Sequence, residues 1–206
     1  MSLKKSLLLI LIILLIDQAS KIYVKTHFRL QDSVEVFSWF KIFFIENEGM
    51  AWGTRISDFV SFISERTAKI ALTVFRIVAI FGIGYWLYEA IKKQSPAILI
   101  VSIALIFSGA LGNIIDSVFY GVLFSDSSMD VATFLPAEGG YDSLLHGKVV
   151  DMLYFPIYKG YLPEWIPVYG GEFFTFFEPV FNIADMAIST GFIMLIVFNK
   201  KAFPKK

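Results

Sequence analysis

Four apolar runs constrain this chain more than any other feature. Residues 4–24, 67–90, 96–119 and 179–199 are each as long, or nearly as long, as the ~20 helical residues that cross a hydrocarbon core. Hydrocarbon offers no water to backbone N–H and C=O groups, so such runs must satisfy them internally, as helices. Two longer segments with polar content, about 25–66 and 120–178, separate run one from run two and run three from run four. Runs two and three are joined by Lys92-Lys93-Gln94-Ser95. The expectation is a four-span helical bundle, read as one membrane-embedded domain over 1–206.

Composition narrows the chemistry. The chain is 56% hydrophobic with 22 Phe and 17% charged residues, and its mean hydropathy is +0.67. A soluble domain carries more charge and spaces its apolar residues in stripes. A formal net charge of zero gives no field that points to nucleic acid. The lack of cysteine excludes disulfides, thiolate nucleophiles and Cys-type zinc sites. His27 and His146 lie too far apart for the H-E-x-x-H pattern of zinc peptidases, and no D-x-D-x-D-G pattern is present. Neither metal nor cofactor is expected.

Lysines set the orientation. Lys4 and Lys5 precede the first run, Lys92 and Lys93 fill the tight link, and Lys200, Lys201, Lys205 and Lys206 follow the last. In a four-span protein all three clusters fall on one side, which the positive-inside rule makes cytoplasmic. Both termini are therefore expected inside and both long segments outside. Met1 to Ile16 has the outline of a signal peptide, but no small-x-small pattern follows and Asp17 to Lys21 continues in helical register. A retained first span is the reading.

Polar residues inside the runs converge on one depth. At ~1.5 Å per residue from the lysine side, Asp17 lies ~18 Å into span one, and Asn113 and Asp116 lie ~25–30 Å into span three. Asp185 sits just inside the far end of span four, and Asn47 and Asp151 flank the same level from the long segments. Each has an ordinary explanation. Asp17 and Lys21, at i, i+4, suit an ion pair; Asn113 and Asp116, at i, i+3, suit bonds between helices. Arg76 suits snorkelling or a carboxylate partner, and Asn182 with Asp185 suits a helix start. Together they carry more. Carboxylates held against hydrocarbon are costly and signal function, and two that meet can share a proton and act on water. On these grounds Asp17, Asp116, Asp151 and Asp185 all remain candidates for such a pair.

The long segments add a second theme. Residues 34–45 are dominated by β-formers with both faces largely apolar, as in a strand pair resting on lipid. Ile56, Phe59, Val60 and Ile63 follow at helical spacing, the pattern of a short interfacial helix. Between them, Gly49 and Gly53 in Asn47-Glu48-Gly49-Met50-Ala51-Trp52-Gly53 permit a tight backbone close to a ligand. Stretches 121–147 and 158–178 read as loops or lids.

Five blocks, in order, carry a resemblance: Asp17-Gln18-x-x-Lys21, Asn47-x-Gly49-x-Ala51-x-Gly53, Gly112-Asn113-x-x-Asp116, Val149-Val150-Asp151, and Phe181-Asn182-x-Ala184-Asp185-x-x-Ile188. The set resembles the signature of lipoprotein signal peptidase, or signal peptidase II, and extends from the first span to the last. The resemblance implies an all-α membrane bundle of four transmembrane helices with a small extracytoplasmic β-cradle and loop or lid segments. It implies an aspartic endopeptidase of the bacterial inner membrane, cleaving diacylglyceryl-modified prolipoproteins before the lipidated cysteine, and inhibited by globomycin-type peptides. Asp151 and Asp185 match the family's catalytic dyad. Asn47, Gly49, Asn113, Asp116 and Asn182 match positions that shape the site and hold substrate, and Asp17 with Lys21 matches a supporting pair. The chain departs from the family at Ser117, where arginine is usual, and at Met50 and Trp52, where Ala and Phe are usual; its loops near Asp151 are longer. Two rival classes are a proton-coupled transporter using the buried Asp residues and Arg76, and a serine-type protease using Ser108 with His146. The first needs polar residues spread through the whole depth, and the second lacks a G-x-S-G pattern.

Overall fold

The computed structural model describes residues 1–48, 64–165, 167–176 and 179–204. Three of its helices are long and apolar enough to cross a membrane: α1 (Leu3–His27), α2 (Glu65–Lys92) and α3 (Ala97–Leu123). Serine starts the first two, Ser2 Oγ accepting from Lys5 N–H at 3.4 Å and Ser64 Oγ from Thr67 N–H at 3.2 Å, which satisfies an otherwise orphaned helix N-terminal donor. Pro96 stands at the N-cap of α3, where a missing N–H costs nothing.

The fourth run behaves differently from its expected span of 179–199. Val180–Phe181 pairs as a short strand, and the helix begins only at Ile183 and stops at Val197, giving 15 residues. A four-residue turn of helix, Asn199–Ala202, follows. The cause is Asn182, whose side chain and that of Asp185 form a reciprocal capping box that fixes the helix start. With the intervening β1 (Ser33–Phe37), β2 (Phe40–Asn47), β3 (Val149–Tyr154), β4 (Tyr158–Tyr161), β5 (Phe173–Phe176) and β6 (Val180–Phe181), these last helices are α4 and α5.

The strand pair expected near 34–45 is present as β1 and β2. It extends into an antiparallel sheet of order β1-β2-β3-β6, while β4 and β5 pair separately. The stretch 158–178, read as loop, thus holds a hairpin, and 149–154 adds the strand that carries Asp151. The expected helix at 56–63 and the glycines at 49 and 53 lie outside the described residues.

Helix α3 is the axis of the bundle, packing against α1, α2 and α4. It meets α4 almost backbone to backbone: a Cβ on Gly109 would stand 2.2 Å from the Ala184 carbonyl oxygen, and one on Gly191 2.6 Å from that of Ser102. Small residues at a crossing are what permits this distance. At the lysine end, Ile10, Leu87, Leu99, Ile100, Ile103 and Ala104 form an apolar core. Beneath the sheet, Val24, Phe44, Tyr120, Phe124, Val150 and Met152 form a second. The outward faces of α1, α2 and α4 expose Leu7, Leu11, Phe75, Phe81, Phe192 and Ile196, an apolar surface suited to lipid.

Candidate active site

Asp151 and Asp185 come from different elements and are joined by one asparagine. Asp151, in β3, is 2% exposed; its Oδ1 accepts from Asn182 Nδ2 at 2.7 Å and its Oδ2 from Asn47 Nδ2 at 3.3 Å. Asp185, third residue of α4, is half-buried; its Oδ2 accepts from Asn182 N–H at 3.2 Å and its Oδ1 from Asn113 Nδ2 at 2.8 Å. Asn182 completes the box by accepting from Asp185 N–H at 2.9 Å, and its amide also reaches Val150 O and Asn113 Oδ1, each at 3.2 Å. The residue that starts the helix therefore also holds the neighbouring strand's carboxylate.

A second layer fixes these amides. Lys21 Nζ, fully buried, lies 3.0 Å from Asp17 Oδ2, 2.8 Å from Asp116 Oδ2 and 2.9 Å from Asn113 Oδ1. Asn113 then has one orientation available, oxygen to lysine and nitrogen to Asp185. Asp17 Oδ1 accepts from Ala184 N–H at 2.9 Å and Asp116 Oδ2 from Val150 N–H at 3.3 Å, so the two carboxylates that flank the lysine also grip the start of α4 and the strand before Asp151. The expected pair Asp17–Lys21 is real, but Lys21 serves two carboxylates and an amide.

Gln18, not singled out as a site residue, belongs to the same layer. Its Nε2 donates to Asp116 Oδ1 at 2.9 Å and Asp17 Oδ2 at 3.1 Å, while its Oε1 accepts from Tyr120 OH at 3.1 Å. Its place beside Asp17 on a helix facing α3 was the available signal. Gly49 lies outside the described residues. Ser117 is fully buried and its hydroxyl donates to Asn113 O at 3.0 Å, so this position is filled by backbone contact rather than by a cation. Arg76, half-buried on α2, lies within electrostatic reach of Asp185. Ser108 donates to Leu105 O within its own helix, and His146 contacts Ser143 Oγ and Leu144 O; they do not meet. The polar groups crowd one end of the bundle rather than its full depth.

The surroundings tune Asp151. Burial, and then the charge of Asp185, push its carboxyl up to about 7, against the opposing pull of Asn47, Lys21 and Asn182. Loss of solvation penalises the charged form, and a second carboxylate nearby adds to the penalty. Among the described residues no group of His, Asp and Glu is arranged to hold a metal ion. The arrangement places two carboxyls, tied through Asn182 and Asn113, at one end of an apolar bundle.

Known proteins resemble this chain along most of its length. The family model described as signal peptidase (SPase) II matches residues 9–200. The lipoprotein signal peptidase of Porphyromonas gingivalis is 45% identical over 190 residues, covering 92% of this chain and 80% of that protein. That of Amoebophilus asiaticus is 34% identical over 196 residues, covering 93% of this chain and 75% of the relative. A bacterial membrane enzyme solved by the in meso method at 1.9 Å resolution superposes with a TM-score of 0.61 at 25% identity, over 97% of this chain and 94% of that one.

Proposed function

The chain belongs to the signal peptidase II family, and from that premise we propose that it is an intramembrane aspartic endopeptidase acting on diacylglyceryl-modified prolipoproteins. Asp151 and Asp185 are its dyad. The observation that carries this reading is the bridge of Asn182 and Asn113 between two carboxyls, one of which holds its proton up to about 7. Two neighbouring carboxyls, with Asp151 protonated up to about 7, can supply an acid and a base at neutral pH. One accepts a proton from water while the other polarises the scissile carbonyl; a proton then passes to the leaving amine, with no acyl-enzyme.

Cleavage falls before the lipidated cysteine. Four spans cross the inner membrane, α4 acting as the short fourth, with both termini cytoplasmic and the site near the outer surface. This placement lets acyl chains remain in the bilayer while the peptide bond reaches the polar groups. Asn47, Asn113, Asp116 and Asn182 shape the site, Asp17 and Lys21 support it, and Gly49 lies beside it in sequence. Globomycin-type peptides are expected to inhibit.

The test is cleavage of a lipid-modified prolipoprotein by purified protein in detergent, beside folded Asp151→Asn and Asp185→Asn variants. Parent activity lost in both variants supports the dyad. Activity surviving in either returns the role to Asp17 or Asp116.

A further inference from the structure

A buried ionic cluster lies one residue along β2 from the site, and the chemistry above does not use it. Glu46, 4% exposed at its side chain, is bonded through Oε1 to Lys25 Nζ, which is wholly buried. Ser127 Oγ accepts from the same Lys25 at 2.8 Å and donates to Glu46 Oε1 at 3.1 Å. Lys148 Nζ lies 3.6 Å from Glu46 Oε2. The rings of Phe44, Phe124 and Tyr141 surround the Lys25 ammonium at 5.9, 5.5 and 4.9 Å, and Tyr141 OH accepts from Lys148 N–H at 2.7 Å. A cation so enclosed is favourable only while its carboxylate stays in place.

The partners show what the cluster holds. Glu46 precedes Asn47, which donates to Asp151, and Lys148 precedes Val149-Val150-Asp151. Across the sheet Glu46 faces Val150 and Ile45 faces Asp151, beside an irregularity of register between Ile42 and Ile45. Lys25 stands one turn beyond Lys21 on α1. One carboxylate thus ties together the strand bearing Asn47, the strand bearing Asp151 and the helix bearing Lys21. In a strand, a slip of one residue turns every side chain to the opposite face, and backbone hydrogen bonds next to an irregular register cannot by themselves forbid it.

We infer that Glu46, clamped by Lys25 and Lys148, is a positioning residue that fixes β2 against β3 and α1 so that the Asn47 amide meets Asp151. The inference rests on the dyad reading for its kinetic consequence, though not for its structural one.

The decisive experiment follows the Asp151 carboxyl by isotope-edited NMR across pH in detergent, for the parent, Glu46→Gln, Asn47→Ala and the double variant. Cleavage kinetics run alongside. The groups acting on Asp151 are Asp185 from α4, Lys21 from α1, Asn47 from β2 and Asn182, with Asp116 on α3 reaching it through Val150 and Arg76 on α2 through Asp185. Glu46→Gln replaces none of these side chains. The expected result is a midpoint for Asp151 that rises in Glu46→Gln, in the direction of Asn47→Ala, and no further rise in the double variant. The kcat falls by roughly 10- to 100-fold, as for a sub-ångström loss of alignment, with KM nearly unchanged. Parent-like titration and kcat in a folded Glu46→Gln variant overturn the inference, as does a shift that persists undiminished on the Asn47→Ala background. If Glu46→Gln does not fold, Lys148→Met, at a partly exposed side chain, repeats the measurement with smaller changes of the same sign. The titration needs no substrate, so a parent that fails to cleave counts against the proposed function and leaves this inference to be decided by Asp151 alone.

Discussion

Helices α1 and α3 meet twice, and the two meetings are built from opposite materials. At the lysine end, Ile10 of α1 and Ile100, Ile103 and Ala104 of α3 belong to one apolar cluster. At the other end, Lys21 of α1 sits between Asp17 and Asp116 and grips Asn113. Apolar surfaces of matching volume have many workable arrangements, whereas a buried lysine with two carboxylates and an amide has one that leaves nothing unpaired. The first end provides cohesion. The second specifies where each atom stands, at a cost that only a site justifies.

The largest effects should come from the proposed dyad. Asp151→Asn and Asp185→Asn each should lower cleavage by ~10²–10⁴-fold or more, with thermal unfolding near that of the parent; a full-rate variant at either position would remove the site end's special status. Next is pH. If Asp151 supplies the acid, kcat/KM should fall about tenfold per unit above about 7, and Asn47→Ala should move that limb upward, since Asn47 donates to the charged form. The linked stability runs the same way. A carboxyl held above its unfolded ~3.9 favours the folded state below that value and loses the contribution as pH rises through about 7, which melting curves across this window would detect.

Lys21→Met leaves two buried carboxylates unpaired and should cost ~3–5 kcal/mol. Gly109→Ala forces a methyl against the Ala184 carbonyl and should cost ~1–3 kcal/mol together with activity, because Ala184 precedes Asp185. Ile103→Val, on the same helix at the lysine end, should cost only ~0.5–1.5 kcal/mol with cleavage unchanged. Chemical unfolding of the three side by side sharpens the comparison. An Ile103→Val penalty equal to that of Lys21→Met would erase it.

Much of this was readable from residue order. Run lengths announced α1, α2 and α3, and the depths of Asp17, Asn113, Asp116 and Asp185 counted along their runs announced their meeting, because helical rise is nearly constant. The start of α4 was not readable from hydropathy, which scores Val180 and Phe181 alike whether strand or helix; the Asn182 box decided it. Lys25 stands in the last turn of α1, where a basic residue is ordinary. Its burial arises from Glu46 and Ser127, 21 and 102 residues away in sequence, and no local pattern encodes such a meeting. The hairpin of β4 and β5 was hidden for a related reason: two four-residue strands offer too few alternations to separate from an aromatic loop.

One carboxylate on the first helix closes the beginning of α4: Asp17 accepts the Ala184 N–H. For a chain made from its N-terminus, this orders events in time. The ribosome delivers Asp17 early, yet Ala184 emerges more than 160 residues later, so until then Asp17 has its helix neighbours Gln18 and Lys21 for company. The contact that fixes the start of α4, and with it the placement of Asp185, can therefore close only when synthesis is nearly done.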